Sequence, residues 1–146
     1  MKNRILTETG DGKIWLLVLE SGEEVKKTLE GFAAGEGIAA ASFVALGAFR
    51  RARLGYFEWE RKTYKEIPVE EQVEVITLAG DIVRSEKGTP SLHAHTVLGR
   101  SDGSTRGGHL LEGIVRPTLE ITLTQSPAHL VRRPHPELGL ALIEPA

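Results

Sequence analysis

Residues Ser91–Gly113, SLHAHTVLGRSDGSTRGGHLLEG, set two apolar runs on either side of a polar turn rich in glycine. Alternation with period two places residues i and i+2 of a strand on one face, so His93 and His95 project together. If the turn closes a hairpin, His109 on the returning strand joins them. Three of the five histidines then converge on one patch. Glu112 and Glu120 lie close enough in sequence to contribute, although Glu112 is out of phase with His109 and points to the opposite face.

Working outward, the flanking segments read as a sheet with one helix. Lys13–Glu20 carries the apolar run IWLLVL and predicts a strand that ends at Ser21-Gly22. The next segment is the clearest helix: Ser21 or Gly22 caps it, Glu23 and Glu24 occupy the first turn, and Val25, Leu29, Phe32 and Ala33 line one face. Gly35 or Gly37 ends it. Residues 38–49 (IAAASFVALGAF) suit a buried strand containing or ending at Gly47, and Arg53–Glu60 suits another. A charged turn at Arg61-Lys62 leads to a short strand, Thr63–Ile67, and a single turn over Val69–Gln72 precedes a β-branched strand, Val73–Val83, with a bulge or bend at Gly80. Ser85–Pro90 reads as a loop.

After the histidine strands comes the link Arg116-Pro117. Thr118–Thr124 then alternates cleanly, with Leu119, Ile121 and Leu123 on one face and Thr118, Glu120 and Thr122 on the other. The tail, with Pro127, Pro134, Pro136 and Pro145, reads as irregular, with an edge strand over Leu138–Ile143. About seven strands and one main helix predict an α+β fold: a mainly antiparallel sheet covered on one side by the helix.

Composition bounds the function classes. The 146 residues, 40% hydrophobic and 26% charged, fit a single soluble globular domain spanning 1–146, large enough to bury a core without staples. There is no cysteine, which excludes thiol nucleophiles, disulfides and cysteine-based zinc fingers. The first residues show no signal-peptide pattern and no apolar run is long enough to span a bilayer, so a cytoplasmic protein without a membrane partner is expected. A net charge of −2 argues against a protein built to neutralise phosphates. Asn3 is the only asparagine, Gln72 and Gln125 the only glutamines and Met1 the only methionine. That shortage of thermolabile residues suits a thermophile and equally suits simple compositional bias.

The order of these features resembles the plants-and-prokaryotes conserved (PPC) domain family. SLHAHTVLGRSDGSTRGGHLLEGIVRPTLEITL has the form of its signature: His-x-His, a polar turn, Gly-Gly-His-Leu-x-x-Gly, then a strand carrying Glu. The likeness extends back through VEVITLAGDI, ALGAF and the SGEEV helix start. It implies a compact α+β domain, standing alone in prokaryotes and assembled as a homotrimer. Plant members join the domain to an AT-hook, whose Arg-Gly-Arg-Pro core is absent from this sequence. Arg116-Pro117 and Arg132-Arg133-Pro134 come nearest, and Arg50, Arg51 and Arg53 form the best basic cluster, a pattern usual for solvated surface. Nucleic acid is therefore not an expected partner.

The resemblance also implies a metal at His93, His95 and His109. Three neutral imidazoles with a fourth position left to water suit zinc or another divalent transition metal. The alternative is three histidines hydrogen-bonded to one another and to carbonyls at a subunit interface. Glu120 is the candidate partner for a liganding histidine. Gly107 and Gly108 are expected to serve backbone conformation or close approach, and to leave room above the histidines for a small ligand. His129 and His135 lie in proline-flanked sequence and are expected to be exposed. No nucleophile elbow, phosphate loop or dinucleotide fingerprint is present. The functional expectation is a small-ligand or partner-binding module with a metal site. A metal-dependent hydrolase or lyase is the first alternative, and a DNA-associated regulator, by analogy with plant relatives, the second.

Overall fold

The computed structural model describes residues 1–127 and 129–144; of the tail prolines, Pro145 lies outside them. Nine strands and one helix follow the order β1 (Lys2–Thr9), β2 (Gly12–Glu20), α1 (Val25–Gly35), β3 (Ala40–Glu58), β4 (Thr63–Val69), β5 (Val73–Ser85), β6 (Pro90–Gly99), β7 (Thr105–Gln125), β8 (Val131–His135) and β9 (Leu140–Glu144). The sheet runs β1-β2-β7-β3-β5-β8-β9, with β4 added to β3, and β6 pairing both β5 and β7. All pairings are antiparallel except the short parallel contact of β5 with β8. Strands β3, β5, β6 and β7 pair in a closed circuit, because β3 and β6 each bridge β5 and β7.

The expected α+β class stands, with more strands than the seven anticipated. β1 escaped the sequence reading because every one of its residues is exposed, so it has no buried face to impose a pattern; it is held by its ladder to β2. β8 was hidden by Pro134, which this short strand tolerates opposite Ala141 of β9. The two strands expected over 38–49 and 53–60 are one, because β3 continues through Arg50-Arg51 while changing partner from β5 to β4. The same holds for β7, which runs through Arg116-Pro117, a cis peptide, and absorbs it as a register shift opposite Ala48. Val69–Gln72 forms no helical turn.

Gly80 makes no bulge. Its partners Phe43 and Ala94 are in regular register, and the irregularity falls at Ile76 instead. Gly80 is required for closeness: a Cβ there would lie 2.2 Å from the His93 carbonyl oxygen and 2.8 Å from the Ala94 Cβ.

The helix cap lies two residues beyond the later of the expected ones, so Glu23 and Glu24 precede the first turn. Glu24 is the N-cap, its carboxylate accepting from the Lys26 N–H at 3.1 Å and the Lys27 N–H at 2.7 Å. Ser21 instead donates to the Pro117 carbonyl. At the other end Gly37 adopts φ 67°, with its N–H on the Ala34 carbonyl and the Ile38 N–H on that of Ala33, a Schellman closure. Val25, Leu29, Phe32 and Ala33 are buried against Trp15, Leu17, Leu19, Leu119, Ile121 and Leu123, as the periodicities require. Trp15 meets Phe32 edge to face at 5.1 Å.

Candidate metal centre

The polar turn of the opening stretch closes a β6–β7 hairpin. Arg100 and Ser104 face each other through the Arg100 N–H, which donates to the Ser104 carbonyl at 2.9 Å, and Gly103 turns the chain at φ 80°. Asp102 fixes the loop by accepting from both the N–H and the hydroxyl of Ser104. The resulting register sets His95 directly opposite His109. His93 shares the face of His95 by alternation, so three imidazoles meet with ring centroids 5.0, 5.1 and 5.4 Å apart.

Each of the three rings offers a nitrogen within 4.8 Å of the others. The Nδ1 of His109 is buried and has no hydrogen-bonding partner among the described residues. Burial, with the charges His93 and His95 can carry, pushes the His109 imidazole down to about 4, and burial followed by His93 lowers that of His95. Both rings are thus neutral near pH 7, the form that ligates a metal. An orphaned buried nitrogen and neutral donors converging from two strands fit a divalent ion better than a hydrogen-bonded trio.

Close packing fixes these rings. His109 pairs with Gly55 of β3, where any Cβ would come within 2.7 Å of the Tyr64 ring. With no side chain in the way, Tyr64 lies over His109 at 4.7 Å and 31°, and Phe57 backs Tyr64 edge-on. Gly108 is needed for the same approach, since its Cβ would fall 2.7 Å from the Gly55 carbonyl oxygen. Neither Gly107 nor Gly108 adopts positive φ, so close approach, not conformational freedom, is the reason for Gly108. Helix α1 pins the other strand: Glu30 accepts from the Leu92 N–H at 3.0 Å, beside His93.

Asp81 stands directly across the ladder from His93, its Oδ2 3.7 Å from the His93 Nδ1. Its Oδ1 accepts from Arg132, which is 8% exposed and also donates to the Ser91 carbonyl at 3.0 Å. Burial works to raise the Asp81 carboxyl, but the facing His93 and Arg132 outweigh it and hold it below the usual value. The sequence reading missed this pair. An acid inside the otherwise apolar run LAGDIV, residues 78–83, was the available signal for Asp81. Arg132, in a proline-flanked stretch, gave none.

The carboxylate assigned to support a histidine was the wrong one. Glu120 lies toward the other end of β7, exposed, between Val18 and Leu46, in a separate depression with Leu16, Val44 and Thr122. Glu112 stays out of the site, engaged by Arg51 at 3.2 Å and Arg53 at 3.8 Å. His129 is exposed, but His135 sits on β8, half-buried, between Glu137 and Glu144.

A cavity of about 730 Å³ opens over the three imidazoles. Its lining includes the polar group Asp81, Arg132 and Ser91, the side chains of Phe57, Tyr64 and Leu92, and residues 139–143 of the β8–β9 hairpin. Gly107 and Gly108 are not part of this lining; they lie in the ladder opposite Val97 and Thr96.

Residues 6–127 match the model of the Plants and Prokaryotes Conserved domain. The chain belongs to this family. Among solved structures, it is similar to a plant- and prokaryote-conserved protein of Pyrococcus horikoshii, with 35% identity, TM-score 0.88, and coverage of 96% of this chain and 99% of that one. A metal-containing protein from Archaeoglobus fulgidus is 33% identical, TM-score 0.83, with 97% and 98% of the chains covered. A candidate DNA-binding protein from Ralstonia eutropha is also 33% identical, TM-score 0.85, with 96% and 95% covered. No curated protein matches at a significant level.

Proposed function

We propose that this PPC-domain protein is a homotrimeric, metal-dependent binding module in which His93, His95 and His109 hold a divalent transition ion, zinc by preference. The observation that carries the reading is the convergence of three imidazoles beneath a cavity. Three histidines with an open position form a ligand set known for zinc. The metal-containing relative from Archaeoglobus fulgidus supports it. Asp81, held by Arg132, orients His93 as outer carboxylates commonly do for metal-bound histidine.

Binding is favoured over metal-dependent hydrolysis or lysis. The carboxylate in the cavity wall is Asp81, whose pKa is lowered and whose lone pairs are engaged by Arg132, so it is a weak base for activating water. Nucleic acid is disfavoured for a similar reason. Arg51 and Arg53 are paired with Glu112 and Glu66, and the net charge is −2.

The trimer finds support in an uncovered sheet face. Val44 and Leu46 are 59% and 63% exposed and, with Leu16, line a shallow depression of about 410 Å³. Apolar groups on a shared face suit burial by a second copy.

Metal analysis of protein purified without an affinity tag tests the central claim. Wild type should carry about one equivalent per chain, and His93→Ala and His109→Ala should lose it. Equal metal content in all three would overturn the reading.

A further inference from the structure

The cavity above the histidines has a charge pattern that names its ligand class, given the metal reading above. Arg132 is the only cationic group that lines it apart from the histidines, among the described residues, and it is already engaged with Asp81 and Ser91. Nη2 meets Asp81 Oδ1 at 2.5 Å, and Nη1 meets the Ser91 carbonyl at 3.0 Å and its hydroxyl at 3.4 Å. Asp81 and Arg132 cancel each other. Imidazole ligates a metal as the neutral ring, so an ion held by the three histidines keeps its two positive charges uncompensated. In a wall of low polarity that excess favours an anionic donor far more than water would. A second anionic group on the same molecule would find no free cation.

The body of the ligand is set by the remaining wall. Phe57, Tyr64, Leu92, Leu140, Leu142 and Ile143 all line the cavity. Its volume of about 730 Å³ falls in the range of small-molecule sites. We infer that the site takes a small apolar monocarboxylate, its carboxylate on the histidine-held metal and its chain lying between the aromatic pair and the β8–β9 hairpin. Leu142, on that hairpin, is a specificity determinant for the chain.

Calorimetric titration of zinc-loaded protein with acetate, hexanoate, adipate and hexylammonium tests this. Hexanoate should bind at least tenfold tighter than acetate, since each buried methylene is worth about fourfold in affinity. Adipate should bind more weakly than hexanoate, and hexylammonium should not bind. Leu142→Asp, at a side chain 40% exposed, should reduce hexanoate to the level of acetate and leave zinc affinity unchanged. Zinc binding that depends on His93, with hexanoate no tighter than acetate or equally tight without zinc, overturns the ligand inference and leaves the metal reading standing. Absence of zinc binding overturns both.

Discussion

Asp81 and His93 occupy facing positions of the β5–β6 ladder, with the carboxylate 3.7 Å from the ring Nδ1. The same carboxylate receives Arg132 from β8, so one side chain joins a histidine of the candidate metal centre to the hairpin that walls the cavity. Asp81→Asn keeps the shape and removes the charge. It should weaken zinc binding by roughly ten- to a hundredfold, the usual cost of losing an outer carboxylate, as read by chelator competition. It should also lower unfolding free energy by ~1–3 kcal/mol, because the buried Arg132 loses its counter-charge. Unchanged zinc affinity would remove Asp81 from any role at the site.

The lowered pKa of His109 makes acid stability a probe of the metal-free site. The unfolded chain binds a proton on this imidazole near its ordinary value of 6.5, whereas the folded protein waits until about 4. Stability from this group is therefore complete above about pH 6.5 and falls as pH drops toward 4. Asp81 acts in the same sense but lower: its contribution is present above 3.8 and is lost as pH falls through its depressed folded value. Denaturation midpoints of metal-free protein should decline between pH 6.5 and 4, and His109→Gln should flatten that decline. An equal slope in the variant would mean that other groups carry it.

Zinc should stabilise the fold by mass action. With free zinc at ~100 times its Kd, unfolding free energy should rise by ~2.7 kcal/mol. Thermal melts of wild type should shift upward accordingly, and those of His95→Ala should not. A shift that survives the substitution would place the ion elsewhere.

Much of this site was legible because alternation and a tight turn fix geometry locally. His93 and His95 share a face by period, and the Arg100–Ser104 turn determines that His109 returns opposite His95. What escaped depends on long-range pairing. Asp81 reaches His93 only through the β5–β6 register, and Arg132 arrives from a strand that proline disguised. Glu120 lies eleven positions beyond His109, an odd separation that puts it out of phase by simple alternation, and the length of β7 carries it to a different surface. The helix face was readable from Val25, Leu29, Phe32 and Ala33, whereas β1 lacked any buried face to read.

If the exposed face of β3 is covered by another copy, a charge at its centre should prevent assembly. Leu46→Asp would bury an unpaired carboxylate, a cost of about 3 kcal/mol or more, so association should weaken by at least ~100-fold. Sedimentation should report a trimer for wild type and smaller species for the variant, with zinc binding retained in both. A wild-type monomer would exclude the assembly directly.

Two glycines make opposite predictions from the same substitution. At Gly80 a methyl group would fall 2.2 Å from the His93 carbonyl oxygen, a backbone atom that cannot rotate aside, so β6 must move away from β5. Gly80→Ala should cost ~1–3 kcal/mol, as overpacking does, and weaken zinc binding because His93 moves with its strand. At Gly31, inside α1, a methyl group meets nothing within 4 Å. Gly31→Ala should therefore stabilise by ~0.5–1 kcal/mol through helix propensity, without touching the metal. Urea denaturation and zinc titration of the two variants separate the effects. Loss of zinc affinity in Gly80→Ala alone ties the site to strand spacing, whereas full zinc affinity in Gly80→Ala would break that tie.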